Sequence, residues 1–314
     1  MFASLSHPSR QRRQRLLIIG CGDVGQRVLK LLRGRWQIYA LTSQVSRAPA
    51  LRAAGAIPLV GNLDDPATLG RLAGLADRVL HLAPPTREGH HDDRTRHLLQ
   101  ALSRHTVPLQ LVYASTTGVY GDCGGARFDE TRPVNPRNDR AWRRVDAEAQ
   151  LRAWGRRSGC AVTVLRVPGI YALDREGGDP RERVARGVPV LRPEDDVYTN
   201  HIHADDLARA CVLALLKGRP QRVIHASDHS EMRMGDYFTM VAALAGLPAP
   251  ARISREQAAG SMSTMQMSFL SESRRLINQR LTRELGLKLR YPTPREALSA
   301  AAVSGGDRPA SSCT

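Results

Sequence analysis

The first half of the chain alternates short apolar runs with longer stretches of helical periodicity. Stretches of the second kind place apolar residues three to four positions apart, as on one face of a helix. The apolar runs predict buried strands at residues 16–19, 38–41, 57–60, 79–82, 109–114 and 161–165. The periodic stretches predict helices at residues 24–32, 65–72, 92–105 and 141–157. Tight turns cannot join parallel neighbours, so this alternation predicts an α/β fold with a Rossmann-like, doubly wound parallel sheet.

The second half is less regular. Residues 171–200 are rich in Gly, Pro and charge, which is typical of a loop-rich substrate region. Further helices are predicted at residues 204–216 and 235–245, with a strand at 222–225 between them. The expected domains are a flexible basic N-terminus (1–14), a Rossmann domain (15–170), a smaller, mostly C-terminal substrate-binding region (171–300) whose segment 204–226 returns to the core, and a disordered tail (301–314).

Charge alone does not assign a nucleic-acid partner. The 314 residues include 46 Lys and Arg against 30 Asp and Glu, a formal charge of +16. Only Lys30, Lys217 and Lys288 are lysines, which indicates a compositional bias towards arginine along the whole chain. A net attraction for anions is still expected. We therefore expect a small-molecule substrate and an anionic cofactor, and no nucleic-acid partner.

The cysteines and the first residues bear on the compartment. The five cysteines are odd in number, well separated and form no CxxC pair. Residues 1–15 are basic but lack the apolar core of a secretory signal, and no apolar run is long enough to cross a membrane. A reduced, cytoplasmic setting without membrane association is expected.

A glycine-rich turn joins the first predicted strand to the first predicted helix. It reads Gly20-Cys21-Gly22-Asp23-Val24-Gly25, a GxGxxG pattern in the context that gives the motif its meaning. The first glycine permits the tight turn, the second allows the backbone to approach a pyrophosphate, and the third allows the helix to pack closely. The free amides of a helix N-terminus favour that anion. Residues 15–170 are therefore expected to bind NAD or NADP.

The second strand ends without the carboxylate that usually binds the adenosine ribose. No Asp or Glu occurs from Val24 through Leu63. A carboxylate there would repel a 2′-phosphate, whereas Thr42, Ser43 and Arg47 are able to accept one. The sequence favours NADP over NAD, although Arg47 is also compatible with an ordinary solvated arginine.

Several further segments carry a family resemblance. They are GNLDD at residues 61–65, HLA at 81–83, YASTTGVYG at 113–121, LRVPGIY at 165–171 and NHIHADD at 200–206. From about residue 15 to 298 the chain resembles the extended and atypical short-chain dehydrogenase/reductases, the NAD-dependent epimerase/dehydratase group. The resemblance implies cofactor contacts at Asn62, Leu63, Leu82, Ala83, Pro84, Val167 and Pro168, substrate contacts at Tyr171 and His203, and a possible homodimer.

The chain departs from this family at its catalytic pair. The family has a YxxxK motif, whose tyrosine transfers a proton and whose lysine holds the ribose. Counting back from Glu148, those two positions fall on Arg140 and Arg144, and the motif occurs nowhere else in the chain. A guanidinium stays protonated near neutral pH and cannot replace the tyrosine. Arg144 is able to keep part of the lysine's role, and Arg140 either clamps an acidic substrate or is an ordinary exposed arginine.

The remaining catalytic candidates come from the same comparison. Thr116 occupies the family's catalytic Ser/Thr position and is expected to hydrogen-bond a substrate oxygen. If a proton must move, Tyr120, Tyr171 or a histidine has to supply it. The histidine and aspartate clusters at residues 90–93 and 201–206 resemble metal ligands. The sequence favours a polar helix N-terminus with acidic residues in its first turn for the first cluster and a structural, capping role for the second, so no metal is expected.

Two functions remain open from the sequence. One is an NAD(P)-dependent oxidoreductase or epimerase/dehydratase that acts on a small, anionic or sugar-like substrate. The other is a non-catalytic NAD(P)-binding sensor or scaffold that has lost the tyrosine and lysine.

Overall fold

A parallel sheet of seven strands forms the centre of the molecule. In a computed structural model, residues 13–305 are described, with residues 264, 265 and 301–305 described by their backbone alone. The expected N-terminal segment through residue 12 and the last part of the tail, residues 306–314, lie outside the described residues. The strands are β1 (Arg15–Ile19), β2 (Gln37–Thr42), β3 (Ile57–Val60), β4 (Arg78–His81), β5 (Gln110–Thr116), β6 (Arg127–Phe128), β7 (Ala161–Val167), β8 (Gly169–Tyr171), β9 (Val190–Leu191), β10 (Tyr198–Thr199), β11 (His201–His203), β12 (Arg222–His225), β13 (Met232–Arg233), β14 (Arg252–Ile253) and β15 (Arg275–Leu276).

Helices cover both faces of this sheet. They are α1 (Asp23–Leu32), α2 (Ala48–Ala53), α3 (Asp93–Leu102), α4 (Asp139–Ser158), α5 (Pro180–Ala185), α6 (Ala204–Lys217), α7 (Met234–Ala245), α8 (Arg255–Ser261), α9 (Thr264–Leu270) and α10 (Pro294–Gly305). Short 3-10 helices run over Val45–Arg47, Pro66–Leu72 and Thr117–Tyr120, and a π-helix over Arg280–Glu284. Because α10 continues through residue 305, the expected tail boundary at residue 301 falls inside a helix.

The strand order confirms the predicted fold class. The order across the sheet is β3-β2-β1-β4-β5-β7-β12, and every neighbouring pair is parallel. This is a doubly wound Rossmann-like arrangement in which the order reverses between β1 and β4. The helix α6 packs against α1, and β12 pairs with β7, so residues 204–225 belong to the central layers.

Burial on both faces explains why the strands are nearly continuous apolar runs. In β1, Leu16 and Ile18 pack with α1 and α6, whereas Leu17 and Ile19 pack with α3 and α4 on the opposite face. All four side chains are fully buried. The two-faced core fixes the carboxyl edge of the sheet, from which the functional loops extend.

Four buried cysteines, Cys21, Cys123, Cys160 and Cys211, are free thiols. Cys313 lies outside the described residues. Among the helices that the structure describes, none combines the length and apolar character that a bilayer span requires.

Candidate functional site

The glycine turn lies where the strand order reverses. Gly20 follows β1, and the loop through Ala83 follows β4 on the neighbouring side. Gly20 has a left-handed φ of +82°, and a Cβ atom there would lie 2.5 Å from the backbone nitrogen of Ala83. The absence of a side chain at Gly20 therefore lets the two loops meet at this edge. Open α/β sheets bind their ligands in the crevice that such loops form.

The next two glycines leave room for an anion and for the helix. Gly22 is exposed and begins α1 without any side-chain cap. A Cβ atom on Gly22 would meet no atom within 4 Å, whereas one on Gly25 would lie 3.2 Å from the sulfur of Cys21. The space in front of the helix N-terminus is thus open, while the helix packs tightly behind it. This geometry fits a diphosphate, because uncapped amides and the helix dipole both favour negative charge there.

Cys21 and Arg47 hold the turn from behind. The Cys21 thiol is buried, and burial raises its pKa to about 11 against the opposing effect of the Arg47 charge. The thiol is therefore neutral near neutral pH and fills space rather than reacting. Arg47 donates a hydrogen bond from Nη2 to the Cys21 carbonyl at 2.7 Å. Arg47 is consequently fixed beside the turn and is not a freely solvated side chain.

A first cavity, of about 220 Å³, opens beside the turn at the ends of β1, β2 and β3. We call it the adenosine cavity, after the part of the cofactor expected there. The sequence-predicted residues that line it are Gly20, Cys21, Thr42, Ser43, Arg47, Asn62, Leu63, Ala83 and Pro84. Within residues 13–305, no carboxylate lines this cavity. The side chain of Asn62 accepts a hydrogen bond from the Asp64 amide at 3.1 Å and so shapes its own loop.

Arg94 is a cavity residue that the sequence analysis did not identify. It comes from α3 and binds both oxygens of Asp64 at 2.7 Å. Its Nη1 also donates to the carbonyls of Pro84 and Pro85 at 3.3 Å. The arginine therefore ties the loop after β4 to the loop after β3. The spacing of α3 in the sequence gives no signal for this role.

Three other sequence-predicted cofactor residues belong to the hydrophobic core and do not line the adenosine cavity. Val24, Leu82 and Val167 pack into the hydrophobic layer beneath the turn. Asp23 begins α1, and its carboxylate accepts hydrogen bonds from Arg27 at 3.2 Å.

A second cavity, of about 570 Å³, opens at the ends of β5 and β7. We call it the Thr116 cleft. It brings together four sequence-predicted residues, Thr116, Arg140, Arg144 and Pro168. Residues from the C-terminal half complete the wall: Arg175, Tyr198, Thr199, Asn200, His201, Met234, Phe269, Glu272 and Arg274.

Thr116 and Arg144 have fixed positions in this cleft. The Thr116 hydroxyl oxygen accepts a hydrogen bond from the Gly118 amide at 3.2 Å, which leaves its own proton free to donate. Arg144 donates from Nη1 to the Tyr113 hydroxyl and to the Ala114 carbonyl, both at 2.8 Å. Arg144 is thus held against β5, two strand positions from Thr116.

Arg140 lies at the mouth of the cleft. The side chain is exposed at the first turn of α4, and its guanidinium lies 5.2 Å from the ring centre of Phe269 in α9. This cation–π contact spans the cleft from the Rossmann layer to the C-terminal region. Arg140 therefore has a partner, although its position leaves it reachable from solvent.

Tyr120 does not line either cavity. It is 1% exposed, and its hydroxyl is 2.6 Å from Nε2 of His225 and accepts a hydrogen bond from Arg166 at 2.7 Å. Arg166 also binds Glu148 through Nη2 at 2.7 Å, and Ser115 donates to Glu148 at 2.6 Å. Burial raises the Tyr120 pKa to about 12. The structure therefore gives Tyr120 a packing role in a buried polar network instead of the catalytic contact considered from the sequence.

Tyr171 and His203 line a different cavity, of about 270 Å³, together with Tyr291. His203 caps α6, since its Nδ1 accepts a hydrogen bond from the Asp205 amide at 3.2 Å. Neither residue joins the Thr116 cleft as a substrate contact. From the same sequence motif it is His201 that reaches the cleft, stacked on Tyr237 at 4.1 Å. Burial lowers the pKa of His201 to about 3, so this imidazole is neutral.

Tyr198 is a cleft residue that the sequence analysis missed. Its ring is held between two cations, with Arg275 at 4.6 Å and Arg233 at 5.6 Å from the ring centre. Its position depends on pairing between the short strands β10 and β13. Two-residue strands leave no periodic signal in the sequence, which is why this residue was not predicted.

Residues of the two histidine and aspartate clusters contact groups that are distant from them in the sequence. In the first, His90 is 3.1 Å from Asp139, and His91 is 3.3 Å from Asp146. In the second, Asp206 accepts hydrogen bonds from the backbone amides of Arg290 and Tyr291. No group of three or more His, Cys, Asp or Glu suited to a metal ion is found in the part of the chain that the structure describes.

Asp228 is a buried acid next to these elements. It is 3% exposed, and its backbone amide donates to the His201 carbonyl at 2.8 Å. One carboxylate oxygen, Oδ1, accepts from the Ser230 amide at 2.9 Å, whereas Oδ2 is buried without a hydrogen-bond partner. Burial raises the Asp228 pKa to about 7. The folded protein therefore holds this proton more tightly than the unfolded chain does.

We predict that Asp228→Asn stabilises the protein at alkaline pH. Because the folded pKa lies above the unfolded value, the stability contributed by protonated Asp228 is lost as pH rises through about 7. The variant keeps the Oδ1 acceptor without the charge, so its free energy of unfolding should exceed that of wild type by more than ~1 kcal/mol at pH ~8 and by little at pH ~3.5, below the pKa of an unfolded aspartate. Urea denaturation measures this, with Glu88→Gln, at an exposed carboxylate, as the control. An equal difference at both pH values would contradict the prediction.

Comparison with known proteins supports the same fold. Over 168 residues the chain is 32% identical to a dTDP-glucose 4,6-dehydratase from Mycolicibacterium smegmatis, which covers 48% of this chain and 47% of the relative. The chain thus matches about half the length of this curated relative.

Two solved structures resemble most of the chain. A functionally unknown conserved protein from Silicibacter pomeroyi has a TM-score of 0.77 at 28% identity, covering 93% of this chain and 99% of that one. A UDP-glucose 4-epimerase from Thermotoga maritima, solved with UDP-glucose, has a TM-score of 0.76 at 19% identity with the same coverage. At that identity the second likeness concerns the fold alone.

The family model described as "NAD dependent epimerase/dehydratase family" matches residues 16–226, from β1 to the end of β12. This match covers more than half of the chain and includes the glycine turn, Thr116 and both arginines of the altered pair. The chain belongs to the NAD-dependent epimerase/dehydratase family.

Proposed function

We propose that the protein is an NAD(P)-dependent enzyme, an oxidoreductase or epimerase/dehydratase, that acts on a small, anionic, sugar-like substrate in the Thr116 cleft. The observation that carries the proposal is the relation of the two cavities. The adenosine cavity and the Thr116 cleft open at the same carboxyl edge of the sheet, on either side of the glycine turn and the Ala83 loop. A dinucleotide laid across that edge reaches both.

The residues of the cleft are suited to binding and orienting a substrate. A nicotinamide held beside Thr116 would supply hydride transfer to or from a carbon of the substrate. In its bond with the Gly118 amide the Thr116 hydroxyl oxygen is the acceptor. Its proton is not used in that bond and can be donated to the oxygen on that carbon. Arg144 holds positive charge close to the same strand end. Both groups act by orienting and polarising the substrate.

The charges of the cleft support an anionic substrate. Four arginines line it, Arg140, Arg144, Arg175 and Arg274, against one carboxylate, Glu272. Glu272 is already neutralised by Arg274, whose Nη1 lies 2.7 Å from its carboxylate. The excess positive charge at Arg140 and Arg144 favours a carboxylate or phosphate on the substrate.

Proton transfer needs a group other than Arg140. Tyr198 lines the same cleft and carries an ionisable hydroxyl. We therefore propose Tyr198 as the proton donor or acceptor in place of the tyrosine that relatives have at position 140. Arg233 and Arg275 both contact its ring, which supports a defined ring position in the wall of the cleft.

A preference for NADP over NAD belongs to the same proposal. Arg47 is fixed at the adenosine cavity by its bond to the Cys21 carbonyl, and exposed Ser43 lies beside it. Among the described residues, no carboxylate lines this cavity, so none is present there to repel a 2′-phosphate.

One observation favours a non-catalytic sensor instead. The Arg144 guanidinium is already bonded to Tyr113 and Ala114, and the family's tyrosine position holds the exposed Arg140. A protein that binds the dinucleotide and turns over no substrate would account for this exchange of residues equally well.

We predict measurable turnover of an anionic substrate and its loss in two variants. A panel of sugar nucleotides, sugar acids and small hydroxy acids is assayed with both cofactors by nicotinamide absorbance, which detects net oxidation or reduction, and by product analysis, which detects epimerisation and dehydration because these leave the cofactor unchanged overall. Thr116→Val and Tyr198→Phe should each lower kcat by about 10²-fold with little change in stability. The exposed Thr131→Val is the matched control. Cofactor binding without turnover on the whole panel would contradict the enzyme and favour the sensor.

We predict that two glycine variants separate binding from folding. Gly22→Ala adds a methyl group into open space, so its melting temperature should match wild type while dinucleotide affinity falls about tenfold or more. Gly20→Ala should instead destabilise the fold by ~2 kcal/mol or more, because of its left-handed φ and the contact with Ala83. Calorimetric titration and thermal melting measure the pair. Unchanged dinucleotide affinity in Gly22→Ala would count against the diphosphate site.

We predict that Arg47→Ala removes the preference for NADP. The charge-assisted contact to a 2′-phosphate should be lost, so NADPH affinity should fall about tenfold while NADH affinity falls much less. Fluorescence titration with both cofactors measures the ratio, with the exposed Arg52→Ala of the neighbouring helix α2 as control. Equal losses for the two cofactors would contradict the assignment of Arg47.

A further inference from the structure

The loop that follows β8 contacts the first turns of α1 through ion pairs. We call residues 172–178 the strap; they lead from β8 to α5 in the C-terminal region. We propose that the strap forms the second wall of the diphosphate site and that Arg175 is its anion-binding group. The inference rests on the dinucleotide site of the proposed function and adds to it a ligand from outside the glycine turn.

Two ion pairs in opposite directions join the strap to α1. Arg27 of α1 donates to Asp174 of the strap at 2.6 Å. Arg175 of the strap has its Nε 3.3 Å from the carboxylate of Asp23, the first residue of α1. Arg27 also pairs with Asp23 and Asp205, so the start of α1, the strap and α6 share one charged cluster. The strap is therefore held over the first turn of α1.

Asp23 makes this position electrostatically unusual. Its carboxylate stands at the uncapped N-terminus to which a diphosphate is expected to bind. Two negative groups at one place repel each other unless cations lie between them. Arg27 and Arg175 are the cations that contact Asp23, and Arg27 is additionally committed to Asp174 and Asp205.

Arg175 has fewer ion-pair partners than Arg27. Its Nε is buried and makes no hydrogen bond of acceptable geometry, although it lies close to Asp23. The same side chain lines the Thr116 cleft, so it lies between the glycine turn and the nicotinamide end of the expected cofactor. A Cβ atom on Gly178 would lie 2.8 Å from Cδ of Arg175, so the absence of a side chain at Gly178 leaves room for this arginine.

A diphosphate is the ligand class that matches these features. It has oxygen atoms that a guanidinium binds in a bidentate manner, and it needs the compensation of Asp23 that Arg175 supplies. Because the strap continues into α5, this contact also couples cofactor binding to the position of the C-terminal region. Arg175 lines the Thr116 cleft and not the adenosine cavity, so we expect a monophosphate bound in the adenosine cavity to make no contact with it.

The test compares a ligand with a diphosphate and one without. Calorimetric titrations with ADP-ribose and with AMP are run on wild type, Arg175→Ala, Arg175→Lys and the control Arg181→Ala. Arg181 lies nearby in α5 and pairs with Asp179 in its own segment. Arg175→Ala should weaken ADP-ribose about tenfold and AMP less than about twofold, and Arg175→Lys should recover part of the loss. Arg181→Ala should bind both ligands as wild type does.

Asp23→Asn gives a second measurement that does not depend on the strap variants. Removing the negative charge should strengthen ADP-ribose binding, with a larger gain in Arg175→Ala than in wild type because Arg175 no longer compensates it. Wild-type affinity for ADP-ribose in Arg175→Ala, or equal losses for ADP-ribose and AMP, would overturn the inference alone. Absence of ADP-ribose binding by the wild-type protein would overturn the proposed function with it.

Discussion

The close approach of two loops at one edge of the sheet is the constraint on which the site depends. Gly20 after β1 and Ala83 after β4 are so near that a Cβ atom on the glycine would lie 2.5 Å from the Ala83 nitrogen. This contact is possible because β1 and β4 are parallel neighbours buried on both faces, which fixes where each strand ends. The helix N-terminus after Gly22 then faces open space, and the two cavities lie on either side of it.

The central layers could be predicted from the sequence because their signals are local. The inner strands of the sheet are mostly apolar runs buried on both faces, whereas the edge strand β3 exposes Ile57 and Val60. The bounds of α1, α3, α4, α6 and α7 follow within a few residues from 3.6-residue periodicity, but the helix predicted at residues 65–72 is a 3-10 helix and the short helix α2 was not predicted. The glycine turn was equally readable, since strand, turn and helix are consecutive. By contrast, β10, β13 and β15 are two residues long and form only because distant segments meet. No hydrophobic pattern in the sequence therefore predicts them.

The residues of the candidate site were likewise only partly predictable from the sequence. Thr116, Arg140 and Arg144 were identified by resemblance and do meet in one cleft, whereas Tyr120 and Tyr171 carried the same kind of signal and lie elsewhere. The hydroxyl of Tyr120 lies outside the Thr116 cleft because it bonds to Arg166 and His225. These bonds depend on how α4, β7 and β12 pack. Tyr198 and Arg175 enter from the C-terminal half. Their roles follow from three-dimensional position, which spacing along the chain does not encode.

The central claim is that the amides at the start of α1 bind the diphosphate of an adenine dinucleotide. It is tested most directly by solving the structure of the wild-type protein after soaking with NADPH. We expect the diphosphate in front of Gly22, the adenosine between Arg47 and Asn62, and the nicotinamide beside Thr116. Nucleotide density at any other place, or none at saturating concentration, would contradict it.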